Sequence, residues 1–178
     1  MRKAIHLIVF SAIIFSFLGC SELADFILWR TYRSNIHNFS IMFPREWNMQ
    51  EQETKTALIV TVPRNKKKRE PLRTNFTMTV TDLPQEIPLT TYFEANQEEL
   101  TGVMPGANDF EEGQVFKNFL RGMWLSFTSN IDGNEVKIVS VVWLKNKKAY
   151  VLTFITMLDQ YPRMQPIFRK IINSVKVR

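Results

Sequence analysis

The chain of 178 residues has the length of one domain with a short appendage. Hydrophobic residues make up 45% and charged residues 22%, which supplies enough apolar side chains for a packed core and excludes an intrinsically disordered chain. The formal net charge of +6 is mild, and the single cysteine excludes an internal disulfide, so the stability of the domain must come from packing.

Residues 1–19 have the features of a secretory signal peptide. Arg2 and Lys3 form a charged start, and residues 4–18 form an apolar stretch that is shorter than the roughly 20 residues needed to span a bilayer. The stretch runs through Gly19 into Cys20, and the sequence FLGC resembles the bacterial lipobox. The resemblance implies that the signal is cut before Cys20 and that the cysteine sulfur carries a diacylglyceryl group.

A lipidated Cys20 predicts the domain plan and the location of the protein. Residues 20–29 then form the lipidated N-terminus and a short tether, and residues 30–178 form the folded domain. Two or three acyl chains anchor a protein stably, at about 0.8 kcal/mol per buried CH₂ group. We therefore expect a membrane-anchored lipoprotein of the cell envelope on the periplasmic face, and Ser21 favours the outer membrane if the cell is Gram-negative. Two interpretations stay open beside it: an uncleaved anchor helix with an incidental cysteine, and a buried cytosolic segment.

The first part of the body predicts four strands. Alternating or β-branched apolar residues indicate strands within 25–34, 39–47, 56–62 and 74–82. Residues 25–34 would also suit a membrane interface beside the lipid, because Trp29 and Tyr32 are flanked by arginines. The third stretch has the composition of a central strand. Pro44 ends the second strand, and Trp47 is expected to return to the core.

The second part predicts a helix, a meander and a closing helix. Residues 83–103 become helical after two prolines, with Thr91 and Glu94 in capping-box spacing. A short strand and a turn are expected in 109–122, and three strands in 123–157, with turns at Asp132-Gly133 and at 145–148. The last of these strands is nearly all apolar and should lie centrally. A helix is predicted over 159–177, with Asp159 as its cap and an apolar core stripe of Met164, Ile167, Phe168, Ile171 and Ile172.

Several segments together resemble one superfamily. They are FSIMFPREW, the paired strands after it, the helix LTTYFEANQEEL, the three-strand meander and the closing PIFRKIINSVKV. Over roughly residues 30–177 the chain resembles the Mog1/PsbP-like superfamily, which includes bacterial lipoproteins of the DcrB type. The resemblance implies an α+β fold, an α/β/α sandwich with a mainly antiparallel sheet flanked by helices. Its members mostly bind proteins or assist assembly, and it supplies no catalytic residues to carry over.

Candidate catalytic and metal-binding residues are sparse. After cleavage of the leader His37 is the one histidine, it falls in the predicted turn 34–38, and a lipidated Cys20 cannot act as a nucleophile. Asp109, Glu111 and Glu112 form the densest acidic group, without the spacing of a calcium loop. We expect no enzymatic activity, no metal and no cofactor.

A basic run is the strongest remaining feature of the body. It consists of Arg64, Lys66, Lys67, Lys68 and Arg69. Three interpretations stay open: a solvated hairpin loop that discourages aggregation, a contact with anionic headgroups, and a contact with an acidic protein partner. Nucleic acid is not expected, since the body is exported and no aromatic residue interleaves the run.

The leading functional hypothesis is a lipid-anchored binding or assembly-accessory protein of the cell envelope. Its partners would be the membrane, through the lipid, and an envelope protein, with a homodimer left open. An envelope hydrolase with a dispersed active site is the first alternative, and it predicts a concave pocket that contains groups of shifted pKa. A chaperone-like binder of apolar segments of secreted proteins is the second, and it predicts an exposed apolar patch.

Overall fold

A computed structural model of the protein describes residues 28–52, 56–64, 71–104, 106–117 and 119–178. The predicted signal peptide, Cys20, and residues 66–69 of the basic run lie outside these ranges. The elements are β1 (Trp29–Ser34), β2 (Phe39–Pro44), β3 (Asn48–Glu51), β4 (Thr56–Thr61), β5 (Asn75–Asp82), α1 (Leu89–Gly102), β6 (Asn108–Lys117), β7 (Leu120–Ile131), β8 (Asn134–Lys145), β9 (Lys148–Met157), a 3₁₀ helix (Leu158–Gln160), α2 (Tyr161–Ser174) and β10 (Lys176–Val177).

Seven strands form the main sheet, in the spatial order β3-β4-β5-β9-β8-β7-β6. Every neighbouring pair is antiparallel. The apolar strand β9 lies in the middle of the sheet, as its composition predicts. Asp132 and Gly133 both have positive φ angles, of 50° and 77°, which is the geometry of the tight hairpin turn expected there.

The main sheet is covered on both faces. On one face α2 and a second, three-stranded sheet of order β1-β2-β10 enclose the larger core, in which the rings of Phe154 and Phe168 lie 4.3 Å apart. On the other face α1 covers a smaller core through Phe93. The α+β fold with a mainly antiparallel sheet flanked by helices is therefore confirmed.

Most of the predicted core residues are buried as expected. Trp47 is buried and contacts Phe76 of β5, which is fully buried as well. In the apolar stripe of α2, Phe168 and Ile171 are fully buried, and the other three members pack partly buried against the same core. The described part of residues 25–34 forms strand β1, which agrees with the strand interpretation of that segment.

Two strand predictions and one predicted helix end are corrected by the structure. The third predicted strand, β4, is not central, because the short and fully exposed β3 pairs with it and forms the edge of the sheet. The strand in 109–122 is not short, since β6 has ten residues. The closing helix ends at Ser174, and Lys176 and Val177 leave it to pair with β2.

Neither predicted helix cap forms. Helix α1 begins at Leu89 after Pro88, so Thr91 lies inside the helix, and no side chain caps its first turn. Asp159 lies in the 3₁₀ helix, and α2 begins two residues later with Pro162 in its first turn. Pro162 suits the first turn of α2, because its missing N–H is one that a helix start leaves unpaired in any case. Pro88 is the residue just before α1.

Candidate binding groove

A groove lies beside α2, on the face of the main sheet that α2 and the small sheet cover. Helix α2 packs against β2 and β9, and the neighbouring strands β6, β7 and β8 stay partly uncovered. The space between them has a volume of about 360 Å³, within the range of small-ligand pockets. Its walls and floor are formed by Glu111, Gln114, Val115, Trp124, Ser126, Val139, Val141, Tyr161, Gln165, Phe168, Arg169, Ile172 and Asn173.

A glycine on the edge strand makes room for the largest side chain of the floor. Gly113 of β6 lies directly opposite Trp124 of β7. A Cβ atom at position 113 would lie 2.7 Å from Nε1 of the indole, which is closer than real Cβ contacts allow. The absence of a side chain at Gly113 therefore lets the indole lie against the edge strand and form part of the groove.

The floor also contains a buried hydroxyl that lacks a partner. Ser126 is 1% exposed, and its Oγ makes no hydrogen bond to the described residues. Leaving a buried polar atom unsatisfied costs about 1–3 kcal/mol. A polar group that enters the groove and bonds to Oγ would recover this free energy, so Ser126 is the side chain that most clearly indicates a ligand.

The wall formed by α2 is polar. Tyr161, Gln165, Arg169 and Asn173 follow one another at four-residue spacing, which places them in one row along the helix. Glu111 faces this row from β6. At the end of the row the ammonium group of Lys137, a residue that is 6% exposed, lies 5.9 Å from the ring centre of Tyr161. The groove thus combines an apolar and aromatic floor with hydrogen-bonding and charged walls.

Of the candidate residues singled out in the sequence, the structure describes Arg64, His37 and the acidic group. Arg64 is exposed just beyond β4, far along the chain from any groove residue. His37 lies in the β1–β2 turn, as predicted, and its carbonyl accepts a hydrogen bond of 3.0 Å from the hydroxyl of Tyr150. In the acidic group, Asp109 accepts a hydrogen bond of 3.1 Å from Thr128. The described residues contain no group of three metal-ligand side chains.

The groove itself was missed in the sequence, although signals for it are present. The polar row of α2 has the same helical periodicity as its apolar stripe and marks a second face of the helix. Ser126 is a hydroxyl residue set between the apolar residues Leu125 and Phe127 of β7. What the sequence does not reveal is that these two features face each other, because their pairing depends on how far α2 reaches across the sheet.

Comparisons with known proteins identify the fold. No protein-family profile and no curated protein matches the chain. Solved structures with the same fold include cyanobacterial PsbP from Synechocystis, with 12% sequence identity and a TM-score of 0.64 over 84% of this chain and 92% of that chain. LpqN, which is involved in cell envelope biogenesis of Mycobacterium tuberculosis, has 9% identity and a TM-score of 0.62 over 84% and 91%.

A third similar structure is the Ran-binding protein Mog1p of Saccharomyces cerevisiae. It has 10% identity and a TM-score of 0.59 over 84% of this chain and 95% of that chain. The chain therefore has the Mog1/PsbP-like fold, and identities this low concern the fold alone. None of the helices in the described ranges is long and apolar enough to cross a bilayer.

Proposed function

We propose that the protein is a lipid-anchored, non-enzymatic binding protein of the cell envelope, and that its partner is an envelope protein that inserts a segment into the groove beside α2. The observation that carries this proposal is the buried hydroxyl of Ser126, which has no partner among the described residues and faces the groove. The anchor is the diacylglyceryl group proposed for Cys20, on the periplasmic face of the membrane. In a Gram-negative cell the membrane would be the outer one.

The arrangement of the groove favours binding over hydrolysis. A nucleophilic serine needs a base that accepts its proton, whereas Oγ of Ser126 is bonded to no described residue. Burial raises the pKa of Tyr32, Tyr92 and Tyr150, and none of these three tyrosines lines the groove. Structures of the same fold include a protein of envelope biogenesis and a Ran-binding protein, which supports a role in contacts between proteins.

Site-specific crosslinking in native membranes tests this function. In the full chain, Arg169 on the groove wall is replaced by a photoreactive phenylalanine analogue, and Glu98, which is exposed on α1, is replaced in a matched control. We expect an adduct with an envelope protein from position 169 and none from position 98. The change Ser126→Ala removes the unpaired hydroxyl and should lower the yield of the adduct.

Two results would contradict the proposal. One is an equal yield of the same adduct from positions 98 and 169, which would indicate contact without a site. The other is the absence of any adduct from position 169 in membranes prepared under several growth conditions.

A further inference from the structure

Strand β6 forms an edge of the main sheet, and no strand of the described ranges pairs with its outer side. Lys117 and Leu120 close the two-residue β6–β7 turn, so they form a hydrogen-bonded pair. Such pairs alternate along an antiparallel ladder. The backbone groups of Glu112, Gln114 and Phe116 therefore point away from β7, and no described strand lies beyond β6.

The same edge exposes two large apolar side chains. Phe110 and Phe116, near the two ends of β6, are 47% and 70% exposed. The ring of Phe110 stacks at 5.5 Å on Phe127 in the core beneath α1. Glu112 pairs with Leu125 of β7, which belongs to the same core, so the Glu112 side chain lies on that face of the sheet. Phe116 is four residues further along the strand, and side chains an even number of residues apart lie on the same face. A long edge strand with exposed apolar residues is a template for pairing with another strand.

The sequence of β6 is complementary to itself about Gly113. In an antiparallel pair of β6 strands centred there, Glu112 lies opposite Gln114 of the second copy, whose amide can donate to the carboxylate. Phe116 comes beside Phe110 of the second copy, which lies in the irregular stretch of β6 between Asn108 and Glu111. The outward backbone groups of both strands also face each other in this register. At the centre the two Cα atoms approach to about 4.5 Å, the spacing of a pair without hydrogen bonds, and glycine offers no side chain to hinder that approach.

From these observations we infer that two copies of the protein associate through β6 and form one continuous sheet across a two-fold axis at Gly113. This inference does not depend on the proposed function of the groove. Each β6 also borders a groove through Glu111 and Val115, so the dimer places the two grooves on either side of the axis. The lipid anchor proposed for Cys20 would confine both copies to one membrane, which raises their effective concentration and favours the association.

The variant Gln114→Pro tests the pairing of the two β6 strands without disturbing the fold of the monomer. The N–H of Gln114 takes no part in the ladder with β7, so Gln114→Pro leaves the fold intact and removes a donor from the outer edge of each copy. The matched control Gln114→Thr keeps the N–H. In sedimentation velocity of the mature lipidated protein in detergent, we expect dimers for the natural sequence and for Gln114→Thr. For Gln114→Pro we expect a dissociation constant about tenfold to a hundredfold higher.

Thermal unfolding shows whether Gln114→Pro folds. If it does not, a second variant tests the same inference. Phe116→Ser changes a side chain that is 70% exposed, so the monomer should fold, and the loss of two cross-strand aromatic pairs should weaken the dimer about tenfold. The inference is overturned if the natural sequence stays monomeric up to its solubility limit. It is also overturned if folded Gln114→Pro, or Phe116→Ser, dimerises as strongly as Gln114→Thr.

Discussion

The phenol of Tyr32 joins the small sheet to the edge strand β3. Its hydroxyl donates a hydrogen bond to Oε1 of Glu51, and its ring packs 5.7 Å from the ring of Phe39. Burial, and after it the hydrogen bond to Glu51, raises the pKa of Tyr32 from 10.0 to about 12. The folded state thus holds the proton of this phenol over a pH range in which the unfolded chain has released it.

This pKa difference predicts a loss of stability at alkaline pH. Between pH 10 and pH 12 the unfolded state binds fewer protons than the folded state, so the free energy of unfolding falls as the pH rises through this window. Below pH 10 both states hold the proton, and the contribution of Tyr32 to stability does not change with pH. The variant Tyr32→Phe should lose about 1 kcal/mol at neutral pH and show a shallower decline above pH 10. Urea unfolding at a series of pH values checks this, and identical slopes for the two proteins would contradict it.

At the scale of the secondary-structure elements, the packing of Trp143 on β8 leaves no room for a side chain at the opposite position of β7. Gly122 of β7 lies opposite Trp143 of β8. A Cβ atom at position 122 would lie 2.6 Å from Cδ1 of the indole and 2.8 Å from the carbonyl oxygen of Val142. Trp143 is buried against the larger core and the carbonyl belongs to a ladder, so neither can move aside without loss of packing or pairing.

Two glycine substitutions should therefore differ in sign. Gly122→Ala should destabilise the protein by about 1–3 kcal/mol through overpacking. Gly102→Ala, at the end of α1, meets no atom within 4 Å and should stabilise it by about 0.4–1 kcal/mol, because alanine restricts the unfolded chain. Chemical denaturation of both variants measures the difference, and equal effects would refute the role assigned to the Trp143 contact.

The sequence predicts some elements correctly and others not. Elements formed by interactions between neighbouring residues are predicted, whereas elements that depend on contacts between distant segments of the chain are not. The apolar run of β9 and the Asp132-Gly133 turn are local features, and both are where the sequence places them. The pairing of Lys176 with Ser40 joins segments that are remote in the chain, so helical periodicity alone extended α2 through a segment that forms a strand. The groove was missed for the same reason, since Ser126 and the polar row of α2 meet only in the folded chain.

At the scale of the whole molecule, the entry of the chain and the β4–β5 connection share one end of the fold. The N–H of Arg45 bonds to the carbonyl of Leu28 at 2.8 Å, and Trp47 beside it contacts Phe76 at the start of β5. The connection leaves and re-enters the sheet there, where the N–H of Val62 bonds to the carbonyl of Thr74 at 2.9 Å. Leu28, within the proposed tether, and Val62, two residues before the basic run, therefore lie at the same end of the fold.

We expect this end to face an anionic bilayer. Mass analysis of the natural protein should find the diacylglyceryl group on Cys20. The lipidated protein should partition into vesicles of phosphatidylglycerol in preference to phosphatidylcholine, and changing Lys66, Lys67 and Lys68 to glutamine should reduce this preference about fivefold per lysine.

A double variant at the opposite end of the fold serves as the control for this partition. Lys147 lies in the β8–β9 turn beside Asn146, whose side chain bonds to the carbonyl of Arg178. The N–H of Arg178 in turn bonds to the carbonyl of Asn38 in the β1–β2 turn, and Lys176 pairs with Ser40 next to that turn. Replacing both by glutamine should leave the preference for anionic vesicles unchanged. An equal reduction in the two variants would show that the basic run has no particular orientation towards the membrane.

The place of β10 beside β2 affects how the protein reaches its final structure. Strand β2, with the buried Phe39, Ile41 and Phe43, obtains its second neighbour only from residues 176 and 177, and Ser174 donates a hydrogen bond to the carbonyl of Met42 across 132 positions of the chain. Contacts between such distant segments form slowly. During the export that we propose, with the amino end first, these apolar side chains would thus stay uncovered until almost the whole body has emerged.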